Sequence, residues 1–232
     1  MSLGQLGGRQ RPRAHTGDQS AEKAIFEATE RLLAQQPLHE LSVAQIITAA
    51  GLSRATFYHY FSSKFEVVAA LMLRIFEEMY SETHTVLEAP WTDPGEALRS
   101  SLRTGMETWF EHREVIHAVL ENQHAVPALA QVWSAASAPF VAVLTDQIRR
   151  EREAGRSIPG LPAEAIATML VSGAERIFYV GSTGSDPWLA TAEQRLDAIV
   201  TIALAAIYGS PTGPDGSPRR PRRPRARFSH GG

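Results

Sequence analysis

Cysteine is absent from the 232-residue sequence. Its absence excludes disulfide bonds, thiolate metal sites and a cysteine nucleophile. A chain without disulfides suits a reducing compartment. Long hydrophobic runs and a basic-plus-apolar leader are also missing, since the longest apolar stretch, around 202–208, falls well short of the roughly 18 residues that span a bilayer. We therefore expect a cytoplasmic protein that is neither secreted nor inserted in a membrane.

Enzyme signatures are missing as well. The sequence contains no glycine-rich phosphate loop, no G-x-S-x-G elbow and no H-E-x-x-H motif. His112, His117 and His124 are spaced by five and seven residues, which does not place all three on one helical face. We expect no catalytic activity, no cofactor and no bound metal.

Charge is distributed unevenly along the chain. Residues 1–17 carry +3 and residues 210–232 carry +5, so the segment between them carries −10 within a net charge of −2. Basic ends on an acidic body are typical of arms that touch DNA phosphates. The alternative, for the Arg- and Pro-rich tail above all, is a disordered extension without a role.

A helix-turn-helix signature lies between residues 42 and 64. Ser42 and Gln45 have the spacing of a capping box that starts a short helix, and Gly51 can end it in the left-handed conformation. Ser53 then caps a second helix that runs to about Tyr60, after a turn of the length that holds two helices steeply crossed. Ser63 and Glu66 offer another capping box, which places Lys64 at a helix N-terminus, where phosphate is favoured.

These residues resemble the N-terminal domain of TetR/AcrR-type transcriptional regulators over roughly residues 21–68. The matching positions are Ser42, Ile46, Ala50, Gly51, Leu52, Ser53, Thr56, Phe57, Tyr58, Phe61, Ser63 and Lys64. Weaker matches at 103–105, 132–133, 175–176 and 207–209 resemble an EthR-like subfamily. The resemblance implies a ligand-responsive regulator, most often a repressor, that binds a palindromic operator as a homodimer.

The resemblance also implies which side chains meet DNA. Arg54, Ala55 and His59 take positions that point at base edges in similar proteins. The remaining candidates hold or approach phosphates, and the full set is Ser42, Ala44, Ser53, Arg54, Ala55, Thr56, Tyr58, His59, Tyr60 and Lys64. The alternative function is an all-α interaction module that uses its helical faces for protein partners and does not bind DNA.

Every convincing periodic segment is helical, so the fold class is all-α. We predict an N-terminal three-helix helix-turn-helix domain joined by a long helix to a larger helical ligand-binding and dimerisation domain. The domain limits are a flexible basic arm over 1–18, the DNA-binding domain over 19–67, the larger domain over 68–209 and a disordered tail over 210–232. The first helix is expected over about 18–36 and the long fourth helix over about 64–87. The later helices are expected over about 95–112, 113–123, 127–154, 163–180 and 187–207, with a kink at Pro139.

The last two predicted helices carry apolar residues around more than one stripe. A helix with two apolar faces must pack against two neighbours. In TetR-like proteins the last two helices of each subunit form a four-helix dimer interface. Burial within a monomer is the alternative explanation for the same pattern.

An apolar effector site is the remaining expectation, because aromatic and large aliphatic residues recur on several helices of the larger domain. The candidates are Leu102, Met106, Trp109, Phe110, Trp133, Phe140, Met169 and Phe178. Gly105 and Gly173 would leave open volume between helices, while such a stripe can equally be plain core. Polar groups able to orient a ligand are Glu107, Asn122, Gln123, Glu175, Arg176 and Tyr179, and the expected ligand is hydrophobic and neutral.

Overall fold

The computed structural model describes residues 16–184 and 187–210, with side chains from Ser20 onwards. The predicted basic arm and the Arg-rich tail lie outside the described residues, except for 16–18 and Ser210. All regular secondary structure in the described part is α-helical, as predicted. Its helices are α1 (Thr16–Leu33), α2 (Val43–Ala50), α3 (Arg54–Tyr60), α4 (Lys64–Glu88), α5 (Pro94–Glu111), α6 (Arg113–Asn122), α7 (Pro127–Glu153), α8 (Ala163–Thr183) and α9 (Ala192–Tyr208).

Helix starts follow the side-chain caps. Ser42 closes its capping box with Gln45, Ser53 caps α3, and Asp93 with Pro94 starts α5. At α4 the predicted box is only half formed. Ser63 Oγ accepts from the Glu66 N–H, but the Glu66 carboxylate accepts from Ser62, whose N–H and hydroxyl both donate to it.

Three predicted boundaries were wrong by three or more residues, and one of them is the end of α8, which lies at Thr183 instead of residue 180. α1 ends at Leu33 instead of Gln36, because residues 34–36 already turn toward Pro37. α9 starts at Ala192 instead of Pro187, since Thr191 and Gln194 form a full capping box there. The helix α7 continues through Pro139 without ending.

α4 connects the two ends of the molecule. One core cluster contains Ile25, Ile46 and Phe57 of the first three helices together with Phe76 of α4 and Trp109 of α5. A second cluster includes Leu87 at the far end of α4 and Leu204 of α9. α4 therefore contributes to both core clusters and links the helix-turn-helix to the larger domain.

α7 is, among the described helices, the one long and apolar enough to cross a membrane by length and composition. It packs against α4 on one side and α8 on the other. Central helices of folded domains meet the same criterion, and this packing gives α7 such a position.

Candidate DNA interface and ligand site

The turn between α2 and α3 is set by Gly51 and Ser53. Gly51 has φ of 67°, and its N–H donates to the carbonyls of Ile47 and Thr48, which closes α2. Ser53 Oγ accepts from the Thr56 N–H at 3.0 Å and starts α3. Phe57, which is fully buried, fixes the inner face of α3 against the core. The opposite face of α3 is therefore directed away from the protein.

That outer face carries groups able to read and hold DNA. Arg54, Ala55, Tyr58 and His59 are all exposed. The Arg54 guanidinium lies 5.6 Å from the centre of the Tyr58 ring, a stacking that orients its fork of donors. Such a fork can donate two hydrogen bonds to one guanine. The structure thus brings the predicted base-reading residues together on one short exposed helix.

The predicted phosphate-binding residues differ in exposure and in the hydrogen bonds that they already make within the protein. Ser42 and Ala44 are exposed at the start of α2, but the Ser42 hydroxyl is 2.7 Å from Gln45 Oε1 within the capping box. The Ser53 and Thr56 hydroxyls bond each other at 2.8 Å. Tyr60 is half-buried beside Phe61. The hydroxyls of Ser42, Ser53 and Thr56 stabilise the starts of α2 and α3. They also lie at the surface, where a phosphate could approach.

Lys64 makes hydrogen bonds within the protein that the sequence did not predict. Its ammonium donates to the carbonyls of Leu38 and Leu41, each at 2.7 Å, and to that of His39 at 3.2 Å. Burial lowers the pKa of this amine. The sequence places Lys64 at a helix N-terminus, but it does not show that three carbonyls of the preceding loop converge there. Lys64 ties that loop to α4, and its contact with a DNA phosphate stays a prediction.

Lys64→Met is accordingly expected to destabilise the DNA-binding domain. The methionine keeps the aliphatic stem and removes three charge-assisted hydrogen bonds, so we expect the free energy of unfolding to fall by about 2–3 kcal/mol. Denaturant titration measures it, with exposed Lys23→Met as the control. Below the unfolding transition the slope of log affinity for DNA against log salt should be unchanged. A slope reduced by about one unit in a variant of normal stability would instead show a phosphate contact.

An aromatic cluster occupies the centre of the larger domain. It consists of Phe76 on α4, Trp109 on α5, Trp133 and Phe140 on α7, and Phe178 on α8. Trp109 lies 5.8 Å from Trp133 and 5.7 Å from Phe178 between ring centres, and Phe76 lies 5.6 Å from Trp133. The indole N–H of Trp109 is buried and has no hydrogen-bond partner among the described residues. Four predicted ligand residues therefore meet here, around Phe76, which sequence reasoning assigned to no site.

The other predicted ligand residues differ in whether they pack in the core or face solvent. Leu102, Met106 and Phe110 pack against the same core, and the Arg195 guanidinium lies 5.4 Å from the Phe110 ring centre. Met169 was predicted to line the ligand site, but it does not join this cluster. The residue is 73% exposed on α8 and lies outside the core clusters. Gly173 opens to empty space on α8, so it does not create volume between helices. Gly105 does face α4, where a Cβ would lie 3.7 Å from the Met79 sulfur.

A groove of about 520 Å³ runs between α7 and α8 and ends at the aromatic cluster. Trp133 lines this groove and also belongs to the aromatic cluster. The remaining lining is mostly small or aliphatic, and it includes Ser137, Ala138, Val141, Val171, Ser172 and Glu175. We call this feature the α7–α8 groove. It is the opening through which a ligand could reach Trp133.

Glu175 is the polar candidate that the structure turns into this groove, whereas Glu107 and Arg176 are exposed. Its Oε1 accepts a hydrogen bond of 2.5 Å from Ser137 Oγ. Burial raises the pKa of Glu175 to about 7, and the Ser137 hydrogen bond opposes that rise. The carboxyl group is therefore divided between its protonated and ionised forms near neutral pH.

This raised pKa predicts a pH-dependent stability difference between the wild type and Glu175→Gln. Between the unfolded pKa of about 4.5 and the folded pKa of about 7, the unfolded state binds fewer protons, so wild-type stability falls as pH rises. The variant lacks this loss. It should match the wild type at pH 4.5 and exceed it by about 1–3 kcal/mol at pH 8. Denaturant titrations between pH 4.5 and pH 8 measure the free energies of unfolding, and the exposed Glu153→Gln is the control. A difference between Glu175→Gln and the wild type that does not change with pH would contradict the raised pKa.

Two connections join the larger domain to the helix-turn-helix. The first is the continuous helix α4. The second is an ion pair in which His112, at the start of α6, lies 2.7 Å from Glu30 of α1. The hydrogen bond to Glu30 raises the pKa of His112. The larger domain therefore contacts α1 through His112 in addition to being continuous with α4.

A small domain with an exposed recognition helix, attached to a larger all-α domain through one long helix, defines a helix-turn-helix DNA-binding regulator. The family description "Bacterial regulatory proteins, tetR family" matches residues 25–71, and "Transcriptional regulator EthR, C-terminal domain" matches residues 98–209. The chain belongs to the TetR family of transcriptional regulators, in an EthR-like subfamily.

Individual relatives agree with this assignment. The HTH-type transcriptional regulator EthR of Mycobacterium tuberculosis is 32% identical over 202 residues, which are 87% of this chain and 93% of that protein. EthR of Mycolicibacterium smegmatis is 29% identical over the same shares. Among solved structures, SmeT, the repressor of the Stenotrophomonas maltophilia multidrug efflux pump SmeDEF, has a TM-score of 0.65 at 19% identity and covers 87% of this chain and 98% of its own. This last likeness concerns the fold.

Proposed function

We propose that the protein is a repressor that binds a palindromic operator as a homodimer and leaves it when a hydrophobic small molecule enters the larger domain. The observation that carries the proposal is an unbroken series of contacts from the α7–α8 groove to the recognition helix α3. Groove and aromatic cluster share Trp133, the cluster contains Phe76 of α4, and α4 begins directly after the recognition helix. A ligand that separates these rings displaces the helix that positions α3.

The aromatic cluster supports ligand entry in a second way. The buried, unpartnered N–H of Trp109 costs about 1–3 kcal/mol relative to a bonded one. A ligand atom that accepts this hydrogen bond removes the penalty and so favours the conformation in which the cluster is open. The SmeT fold, to which this chain is similar, has been solved in complex with triclosan, an observation about that protein that supports a small-molecule site in this architecture.

Dimer formation is proposed through α8 and α9. Met169 and Ile202 are 73% and 60% exposed, which is unusual for large apolar residues on long helices. Small exposed residues surround them in sequence, namely Gly173, Thr201 and Ala205. Close approach of two such faces buries both large side chains in a four-helix arrangement. Two recognition helices are then placed about one DNA turn, roughly 34 Å, apart.

Base reading by Arg54 provides a test of the DNA-bound geometry. Arg54→Ala removes a bidentate donor pair and should weaken operator binding by about 1–3 kcal/mol while relaxing preference at one base pair of each half-site. Selection from randomised duplexes with the wild type and the variant measures both effects. The exposed Arg113→Ala, on α6 away from the recognition helix, is the control. An identical selected sequence for Arg54→Ala would remove this residue from base reading.

A further inference from the structure

The Glu175 carboxyl group is half-buried and has no cationic partner among the described residues. In the described part of the chain no ion pair joins it to a basic side chain, and its hydrogen bond comes from the neutral hydroxyl of Ser137. The buried Glu151 of the same domain is, by contrast, paired with Arg156. A desolvated carboxylate that lacks a counter-charge and lines a groove is the complement of a cationic ligand group.

Other charged groups around the groove are already engaged. At its far end Arg149 pairs with Asp146 and Glu164, so this cation is not available to Glu175. Several charged or titratable groups on α8 and on the helices that pack against it also have partners. Arg176 lies over the Tyr179 ring, His117 bonds Ser182, Arg103 and Arg99 pair with Glu193, and Arg195 bonds the carbonyls of Leu189 and Ala190. Burial and Ser137 are the influences that set the pKa of Glu175.

The wall beside Glu175 has the chemistry that holds the rest of such a ligand. The Trp133 ring lines the same groove and can stack on a cation or on an aromatic body. Val141 and Val171 provide an aliphatic surface of the kind that an alkyl chain covers. The described residues contain no cluster of three potential metal ligands, so Glu175 does not form a metal site here.

We propose that the effector is an organic monocation, a protonated alkylamine with an aromatic or aliphatic body, whose ammonium pairs with Glu175 and whose body lies along Trp133 in the α7–α8 groove. This inference rests on the proposed function, since it takes the groove as the effector site, and it replaces the neutral ligand expected from the sequence. The pairing is favourable because folding has already removed much of the water around the carboxylate. The part of the pairing cost that comes from desolvating the carboxylate is therefore smaller.

Isothermal titration with 4-phenylbutylamine and with the uncharged 4-phenylbutan-1-ol tests the pairing. The two probes share a body and differ in charge. At pH 8 the wild type should bind the amine at least about tenfold more tightly than the alcohol, as expected for a charge-assisted hydrogen bond in a dry site. Glu175→Gln preserves size and should remove this preference while binding the alcohol normally. Equal affinity of the wild type for both probes, or an unchanged preference in the variant, would overturn the inference.

The dependence on pH supplies a second readout. The amine remains protonated between pH 6 and pH 8, since alkylammonium groups lose their proton near pH 10. Glu175 changes from mostly protonated to mostly ionised over the same range, so affinity for the amine should rise by about tenfold and that for the alcohol should stay constant. Ser137→Ala removes the hydrogen bond that lowers the pKa of Glu175, and the rise should move to higher pH. A pH-independent amine affinity would contradict the pairing.

Operator binding without ligand is measured on the same preparations, which separates the two hypotheses. If both probes bind equally and both release operator DNA, the groove is an effector site and the cationic assignment is wrong. If the protein shows no sequence-selective DNA binding, the proposed function fails, whatever the preference for the amine.

Discussion

Gly105→Trp should abolish operator binding, by at least about 100-fold, and leave a folded dimer. Gly105 lies on α5 one turn before Trp109, and a Cβ at this position would already contact the Met79 sulfur of α4 at 3.7 Å. An indole has no room there and must push α4 away from α5, as we propose the ligand does. Since tightly packed helices respond to added volume by shifting, the displacement should reach α3.

Two substitutions control for size and for position in this experiment. Gly105→Ala adds one methyl group at ordinary van der Waals distance and should keep near-normal operator affinity. Gly160→Trp places the same indole in a loop, where no described atom lies within 4 Å of an added Cβ, and should also bind operator normally. Fluorescence anisotropy gives the affinities, and circular dichroism with sedimentation confirms fold and assembly. Normal operator binding by a folded Gly105→Trp dimer would contradict the coupling between α5 and DNA.

Ile202→Arg should produce a monomer that binds operator at least about 100-fold more weakly. The residue is 60% exposed on α9, so an arginine is tolerated by the isolated subunit, whereas two arginines facing each other across a symmetric interface repel and cannot be hydrated. The monomer loses the high effective concentration that tethering gives the second half-site. Sedimentation and anisotropy measure assembly and affinity.

Ser81→Arg is the matched control, because it adds the same charge at an exposed position of α4. It should remain dimeric and bind operator with wild-type affinity. If Ile202→Arg also remained dimeric, the interface would lie elsewhere than on α8 and α9.

Local signals in the sequence were sufficient to predict the helix-turn-helix. Gly51, Ser42 and Ser53 act through contacts within three or four residues, and the structure confirms that these caps and this turn form. Lys64 shows the limit of such reasoning. Its position at the start of α4 is local information, but the three carbonyls that hold its ammonium belong to a loop more than 20 residues earlier.

Prediction of the ligand site was less complete for a related reason. Aromatic residues with helical spacing identify a helix face, but the packing of α4, α5, α7 and α8 decides which faces converge. Trp109, Trp133, Phe140 and Phe178 do meet, Phe76 joins them without having been assigned to the site, and Met169 points outward. Burial of Glu175 depends on the same packing, so its unusual pKa could not be read from its sequence neighbours.

Reciprocity between effector and operator tests the central claim most directly. Operator obtained by selection is titrated by anisotropy at increasing 4-phenylbutylamine, and the amine is titrated calorimetrically with and without saturating operator. If ligand and DNA favour different conformations of one dimer, each must weaken the other by the same factor, which is typically about 5- to 150-fold for coupled sites. Equal factors in the two titrations are the expected result. An amine that binds with the same affinity in the presence and absence of operator would contradict the account.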